Sequence, residues 1–266
     1  MGIAPQIAIS IHNARSYQQI QEGRQREFKL RRLFEKYVPA PIIKRYLATA
    51  EADLFGGDVA SITAMFLDIR GFTARSEDME ASRIVSFLNA YFERCSVIIS
   101  ENHGHINKYT GDGFLAIFGA PEPLQRCANL AFDAAAKILN LYGSFVLGCE
   151  PIEVGIGLHS GTATLGNIGS QTKIEYTAIG DTVNVAARLQ ELTKTFQEFP
   201  LIMSRHSWNE LAGHPYHDMI RNLGKLEIRG KKEKLEAFGF SPFEDHRLSG
   251  LDNEVGFLPL HRIKGV

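Results

Sequence analysis

The chain has 266 residues, 44% of them apolar, enough for one large domain or one domain with appendages. Its 29 basic and 30 acidic side chains leave a formal net charge of −1, so no overall field draws it to nucleic acid or a membrane surface. Three scattered cysteines, Cys95, Cys127 and Cys149, fit buried thiols in a reducing, cytoplasmic setting better than a disulfide framework or a zinc site. No uncharged apolar run reaches membrane-spanning length, and no signal-peptide pattern is present. Met1-Gly2 begins like a myristoylation signal, but Gln6 stands where Ser or Thr is needed. A full-length parent could still be soluble or membrane-attached.

Residues 4–22 predict a helix with Ile7, Ile11, Ala14 and Tyr17 on one side. Residues 23–38 are charged, with Phe28, Leu30, Leu33, Phe34 and Tyr37 interleaved, the pattern of a solvated helix with a dimer seam. The basic residues among them are diluted by Glu22, Glu27 and Glu35, and no base-stacking motif follows, so nucleic acid is not a partner. Val38-Pro39-Ala40-Pro41 breaks the helix, and residues 42–47 predict one more short helix, giving a helical coupler over 23–54.

Gly56-Gly57-Asp58 reads as a loop into a first strand over 61–67, apolar and rich in β-branched residues. Residues 80–100 predict a helix, because Ile84, Phe87, Leu88, Tyr91, Phe92, Cys95, Ile98 and Ile99 recur at helical spacing. His105–Tyr109 and Phe114–Phe118 read as strands joined by a tight Gly-Asp-Gly turn. A second amphipathic helix is expected over 123–142. A second hairpin follows from 152–161 and 162–168, with a further strand over 173–179 and a last one over 235–240. This order suits an α+β fold, an antiparallel sheet with helices on one face. The tail from Ser241 on is polar with few apolar anchors.

Two acids stand at strand ends beside glycine: Asp68 in Phe66-Leu67-Asp68-Ile69-Arg70-Gly71-Phe72-Thr73, and Asp112 in Lys108-Tyr109-Thr110-Gly111-Asp112-Gly113-Phe114. A lone Asp in such a turn is ordinarily a turn former. Two of them side by side would offer converging carboxylate oxygens, the environment that Mg²⁺ or Mn²⁺ prefers. Gly180-Asp181-Thr182 is a helix-start signature with Asp or Thr as cap, and Asn184 and Arg188, four apart, share a face of the helix that follows. Arg229-Gly230-Lys231-Lys232 is a basic turn before the last strand. His103, His105 and His159 are not at metal-ligand spacing, no Gly-x-x-x-x-Gly-Lys-Ser/Thr loop exists, and there is no serine nucleophile elbow.

Over roughly residues 55–240 these segments, in this order and spacing, resemble the catalytic domain of a class III nucleotidyl cyclase, most similar to the bacterial adenylate cyclases. The resemblance implies a ferredoxin-like core, ATP as substrate, two Mg²⁺ or Mn²⁺ ions, and a homodimer with both sites at its interface. By that matching, Asp68, Asp112 and the carbonyl of Ile69 hold the metals. Asn184 orients the ribose, and Arg188 stabilises charge on the α-phosphate. Lys108 reads the purine, and Lys231 contacts the distal phosphates, with Lys232 as the alternative. Thr177, in Glu175-Tyr176-Thr177-Ala178-Ile179-Gly180, stands where many adenylate cyclases carry Asp. A subgroup with Thr there is associated with bicarbonate stimulation, so a bicarbonate response is implied through that subgroup alone. Residues 1–22 are similar to the closing helix of a GAF sensor domain, implying an upstream sensor, although any amphipathic helix has the same pattern. A guanylate cyclase is disfavoured by Lys108, a donor facing a base that would need an acceptor. A diguanylate cyclase lacks its Gly-Gly-Asp/Glu-Glu-Phe signature here, and a silent nucleotide-binding or dimerisation module is the reading from another class.

Overall fold

The computed structural model describes residues 3–34, 43, 57–147, 150–170 and 173–243. The chain forms two compact units, Met1–Leu54 and Phe55–Val266. In the first, helix α1 runs without interruption over Ile3–Phe34, so the two expected helices are one, continuous through Gly23. Tyr17, Ile20, Phe28, Leu30 and Leu33 all stand exposed along it. The Pro39/Pro41 break, the short helix expected over 42–47 (Ile43 apart) and the tail beyond Phe243 lie outside the described residues.

The second unit is built on strand β1, Gly57–Ile69. Alternation along it sends Met65, Leu67 and Ile69 to one side and Ile62 and Ala64 to the other, into separate apolar clusters. Helix α2 (Phe72–Ser76) and the long α3 (Ala81–Glu101) follow, and α3 buries Tyr91, Cys95, Ile98 and Ile99 at helical spacing. Strands β2 (Gly104–Tyr109) and β3 (Phe114–Phe118) form the expected hairpin, then comes helix α4 (Cys127–Leu139). A two-stranded pair, β4 (Val146–Leu147) with β5 (Glu150–Pro151), leads into β6 (Val154–Ser170), β7 (Lys173–Ile179) and helix α5 (Asp181–Leu192). The chain closes with β8 (Leu201–Ser204), helix α6 (Arg205–Glu210), β9 (Arg221–Leu226) and β10 (Leu235–Phe240).

The main sheet has the order β2-β3-β1-β6-β8-β10-β9, with β7 paired to the outer half of β6. All its pairs are antiparallel except β6 with β8. The run β1-α3-β2-β3-α4-β6, with strands in the order β2-β3-β1-β6, is the ferredoxin-like core of the expected α+β fold. Helices α3 and α4 share a core with Met65, Leu67, Phe114 and Phe118 on one face. The helices are not confined to that face as expected: α5 packs against the other, where Val183 and Ala186 meet Ile62, Ala64, Leu115 and Ile117.

Four local expectations are corrected. Residues 152–168 do not fold back at Gly161-Thr162; β6 runs straight through, and the second hairpin is β6 with β7, Thr164 facing Ile179. The glycine is there for packing, since a Cβ on Gly161 would come 2.7 Å from Thr182 Oγ1 on α5. Gly57-Asp58 belongs to β1 rather than to a loop, because this extended β6 continues far enough to pair Gly57 with Gly166. Helix α4 is shorter than 123–142, beginning only after Arg126, which takes a left-handed conformation at φ 59°. Helix α5 has no side-chain cap: Gly180 holds the cap position, and Thr182 Oγ1 instead donates to the Thr162 carbonyl at 2.6 Å.

Candidate active site

β1 ends at Ile69, and Gly71, left-handed at φ 64°, turns the chain into α2. The β2–β3 turn is closed by the Thr110 N–H donating to the Gly113 carbonyl at 2.9 Å, with Gly111 at φ 78°. A Cβ on Gly113 would lie 2.2 Å from the Leu67 carbonyl oxygen and 3.1 Å from Asp68 Oδ1. Only glycine lets the turn approach the end of β1 that closely, and the approach sets Asp112 beside Asp68. Burial, and next the neighbouring Asp112 charge, hold the Asp68 carboxyl above the usual carboxylate range, opposed by Lys194. Lys194 Nζ stands 3.6 Å from Asp68 Oδ2. Among the described residues no three His, Cys, Asp or Glu side chains cluster as a metal site. The acid pair therefore offers two carboxylates, Asp68 and Asp112. Two like charges pressed together at a half-buried strand end fit a hard divalent cation.

Helix α5 crosses this same face of the sheet at backbone distance. A Cβ on Gly157 would fall 2.2 Å from the Ala186 carbonyl oxygen, and one on Gly155 would fall 2.1 Å from Thr193 Oγ1. Val183, Val185, Ala186 and Leu189 face inward, leaving Asn184 exposed and Arg188 half-buried on the outer side. Arg188 Nη1 donates to Glu191 Oε1 at 2.6 Å, one turn along. At the other end of α5, Lys231 pairs with Asp181.

Lys108 is half-buried on β2, next to a bulge that leaves Asn107 outside the β2–β3 register. Asn107 reaches β7: its amide nitrogen donates to the Tyr176 carbonyl at 2.9 Å, and its oxygen accepts from Thr177 Oγ1 at 2.7 Å. It is Asn107, the neighbour of Lys108, that bonds Thr177.

The profile of the adenylate and guanylate cyclase catalytic domain matches residues 57–241. The chain belongs to the class III nucleotidyl cyclases. Adenylate cyclase 1 of Rhizobium meliloti is 33% identical over 215 residues, 77% of this chain and 31% of that protein. The cyclase chain thus spans about a third of the length of the curated relatives it matches. Among solved structures, the adenylyl cyclase CyaB of P. aeruginosa is 26% identical, with a TM-score of 0.62 over 70% of this chain and 96% of that one. The guanylate cyclase domain of RhGC from Catenaria anguillulae, in complex with GTP, is 25% identical, with a TM-score of 0.62 over 69% and 98%.

Four contacts of the candidate residues escaped sequence reading. Glu191 holds Arg188, Asp181 holds Lys231, Lys194 faces Asp68, and Asn107 bonds Thr177. Glu191 alone carried a signal, its i,i+3 spacing from Arg188. The others depend on contacts between residues 50 to 126 positions apart, which no local pattern reveals.

Proposed function

We propose that this domain is an adenylate cyclase, converting ATP to cyclic AMP and pyrophosphate by in-line attack of the ribose 3′-hydroxyl on the α-phosphorus. The reading rests on the side-by-side placement of Asp68 and Asp112. Mg²⁺ or Mn²⁺, when bound, supplies activation of the hydroxyl and neutralisation of the triphosphate. Asp68, Asp112 and the Ile69 carbonyl are the groups that would hold two such ions. Arg188 is permanently charged and forked, suited to the charge that develops on the α-phosphate, and Asn184 on the same exposed face orients the ribose. For either to act, Arg188 must exchange Glu191, and Lys231 must exchange Asp181, for phosphate oxygens.

Base choice follows from hydrogen-bond direction. The Thr177 proton is committed to Asn107, so the hydroxyl presents only lone pairs. Lone pairs accept from the exocyclic amine of adenine and have nothing to offer guanine O6. Lys108 adds a donor suited to adenine N1. An unpaired polar group in the pocket penalises the wrong base.

The acids and the Asn184/Arg188 face are read as belonging to opposite protomers of a homodimer, so that two sites form at its interface. Helix α1 is read as the end of an upstream sensor and the start of its coupler, and bicarbonate as an effector.

Purified protein given Mn²⁺ with ATP or GTP should yield cyclic AMP in excess of cyclic GMP. Background product with both nucleotides would leave only a binding or scaffold role. An Asp68→Ala protomer mixed with an Arg188→Ala protomer should recover activity that neither has alone; no recovery would refute shared sites.

A further inference from the structure

A cleft of about 500 Å³ lies between α3, the end of α4, the segment after α5 and the chain beyond β10. None of Asp68, Asp112, Asn184 or Arg188 lines it. Ile138, Leu139, Leu141 and Val154 make apolar walls. Tyr142 and Phe243, both exposed, stand at its rim in edge contact, centroids 5.4 Å apart.

Two polar atoms of its lining are buried without a hydrogen bond: Arg70 Nε and the Tyr91 hydroxyl. Tyr91 is 1% exposed, and the Cys95 thiol one turn along interacts with it without making a hydrogen bond of ordinary geometry. Buried polar groups are almost always paired, so two orphans in one apolar cleft mark where an acceptor is missing. The rest of the Arg70 guanidinium is in use: Nη1 donates to the Gln197 carbonyl at 3.1 Å and Nη2 to the Thr193 carbonyl at 3.0 Å. Glu153 is 3.6 Å away and Glu198 also lines the cleft, so positive charge is already matched and an anion would be repelled.

The geometry points to a regulatory small-molecule site in this cleft, for an uncharged amphiphile with an apolar body and a carbonyl or ether oxygen that accepts from Arg70 Nε and Tyr91. Apolar walls with a few placed polar groups are the general form of such sites. Its effect reaches the acid pair through the backbone. Arg70 is two residues past Asp68 and grips the carbonyl of Thr193, whose neighbour Lys194 faces Asp68. Fixing the guanidinium fixes both ends of that link, and any coupling between ligand and cation is reciprocal.

The probe is 6-propionyl-2-(dimethylamino)naphthalene, a neutral aromatic ketone whose emission shifts to the blue in apolar surroundings. Titrated into the full 266-residue chain, it should give a saturable blue shift. Leu141→Trp, filling the mouth, should weaken binding at least tenfold, and Tyr91→Phe, which keeps the ring, about fivefold. Absence of saturable binding, or binding unchanged in both variants while their circular dichroism stays native, overturns the site. Mn²⁺ affinity by calorimetry, without nucleotide, should change at least twofold when the probe is bound. An unchanged affinity overturns the regulatory half. Neither readout requires cyclase activity, so failure here is distinguishable from failure of the adenylate cyclase reading.

Discussion

The two faces of the sheet are packed in opposite ways. On the α3–α4 side the space is filled by large rings and branched chains: Tyr91, Phe114, Phe118, Phe132 and Ile99 are all fully buried. Edge and tilted ring contacts link them to neighbours, as between Phe132 and Phe240 at 4.9 Å. On the α5 side the close approach is made by bare glycines of β6: Gly157 lies against the α5 backbone, Gly155 against the Thr193 side chain and Gly161 against the Thr182 side chain. A face filled by side chains is stabilised by volume and can repack. A face closed by missing side chains has no slack, and it fixes the helix that carries Asn184 and Arg188. One side holds the domain together; the other positions the groups proposed to act.

The largest stability loss should therefore come from the first face. Phe132→Ala removes a fully buried ring from the α4 core. It should cost about 3–5 kcal/mol in denaturant unfolding, with activity per folded molecule little changed. Gly157→Ala should show the converse. The added methyl would meet the Ala186 carbonyl oxygen at 2.2 Å and the Gln190 nitrogen at 2.3 Å, backbone atoms that cannot rotate away. Helix α5 must move outward. Stability should drop by about 1–3 kcal/mol, and kcat roughly 100-fold as Arg188 is displaced. If Gly157→Ala keeps its activity while losing stability, the division between the faces fails.

The same contrast explains what could be read from sequence. The side-chain face was legible: α3 announces itself through Ile84 to Ile99, and β1 through residues 61–67, because burial of large residues leaves a period in the chain. The glycine face was not. Gly161-Thr162 has the composition of a turn, and nothing local tells a glycine that bends the chain from one that admits a helix. The acids were legible because each adjoins a buried strand and a glycine turn. That Gly113 is what lets the tips meet is visible only once the Leu67 carbonyl is seen above it. The expected cap on α5 failed because Thr182 turns to β6 and Asp181 to Lys231.

Acid should sharpen the comparison further. His105 pairs in register with Ile117, and His159 shares a side of β6 with Gly157 and Gly161, so both lie on the α5 face. Burial pushes each down to about 4, against Asp181 in the case of His159. Their folded-state values lie below the ordinary value of 6.5, so both are held neutral and their stabilisation is complete above pH 6.5. It is lost as pH falls from about 6.5 towards 4, where the unfolded chain binds protons that the folded one does not. Unfolding free energy should drop by about 2–3 kcal/mol per histidine over that range. A His105→Gln/His159→Asn double variant should flatten the slope. If the slope persists, the acid sensitivity resides elsewhere.

The smallest effect tests hydrogen-bond direction rather than packing. Asn107 is fixed by its bond to the Tyr176 carbonyl and so takes the Thr177 proton. Asn107→Ala leaves the fold of β2 to its pairing with β3 but frees the Thr177 hydroxyl to rotate. A free hydroxyl donates as readily as it accepts. Guanine O6, previously met by lone pairs, then finds a donor, and adenine loses an oriented acceptor. The kcat/KM ratio for ATP over GTP should fall about tenfold, a loss of about 1.4 kcal/mol in discrimination. Thr177→Ser, which keeps the hydroxyl and the Asn107 bond, should leave the ratio nearly unchanged. A ratio that falls in Thr177→Ser but holds in Asn107→Ala would mean that the Thr177 methyl, and not the direction of one proton, selects the base.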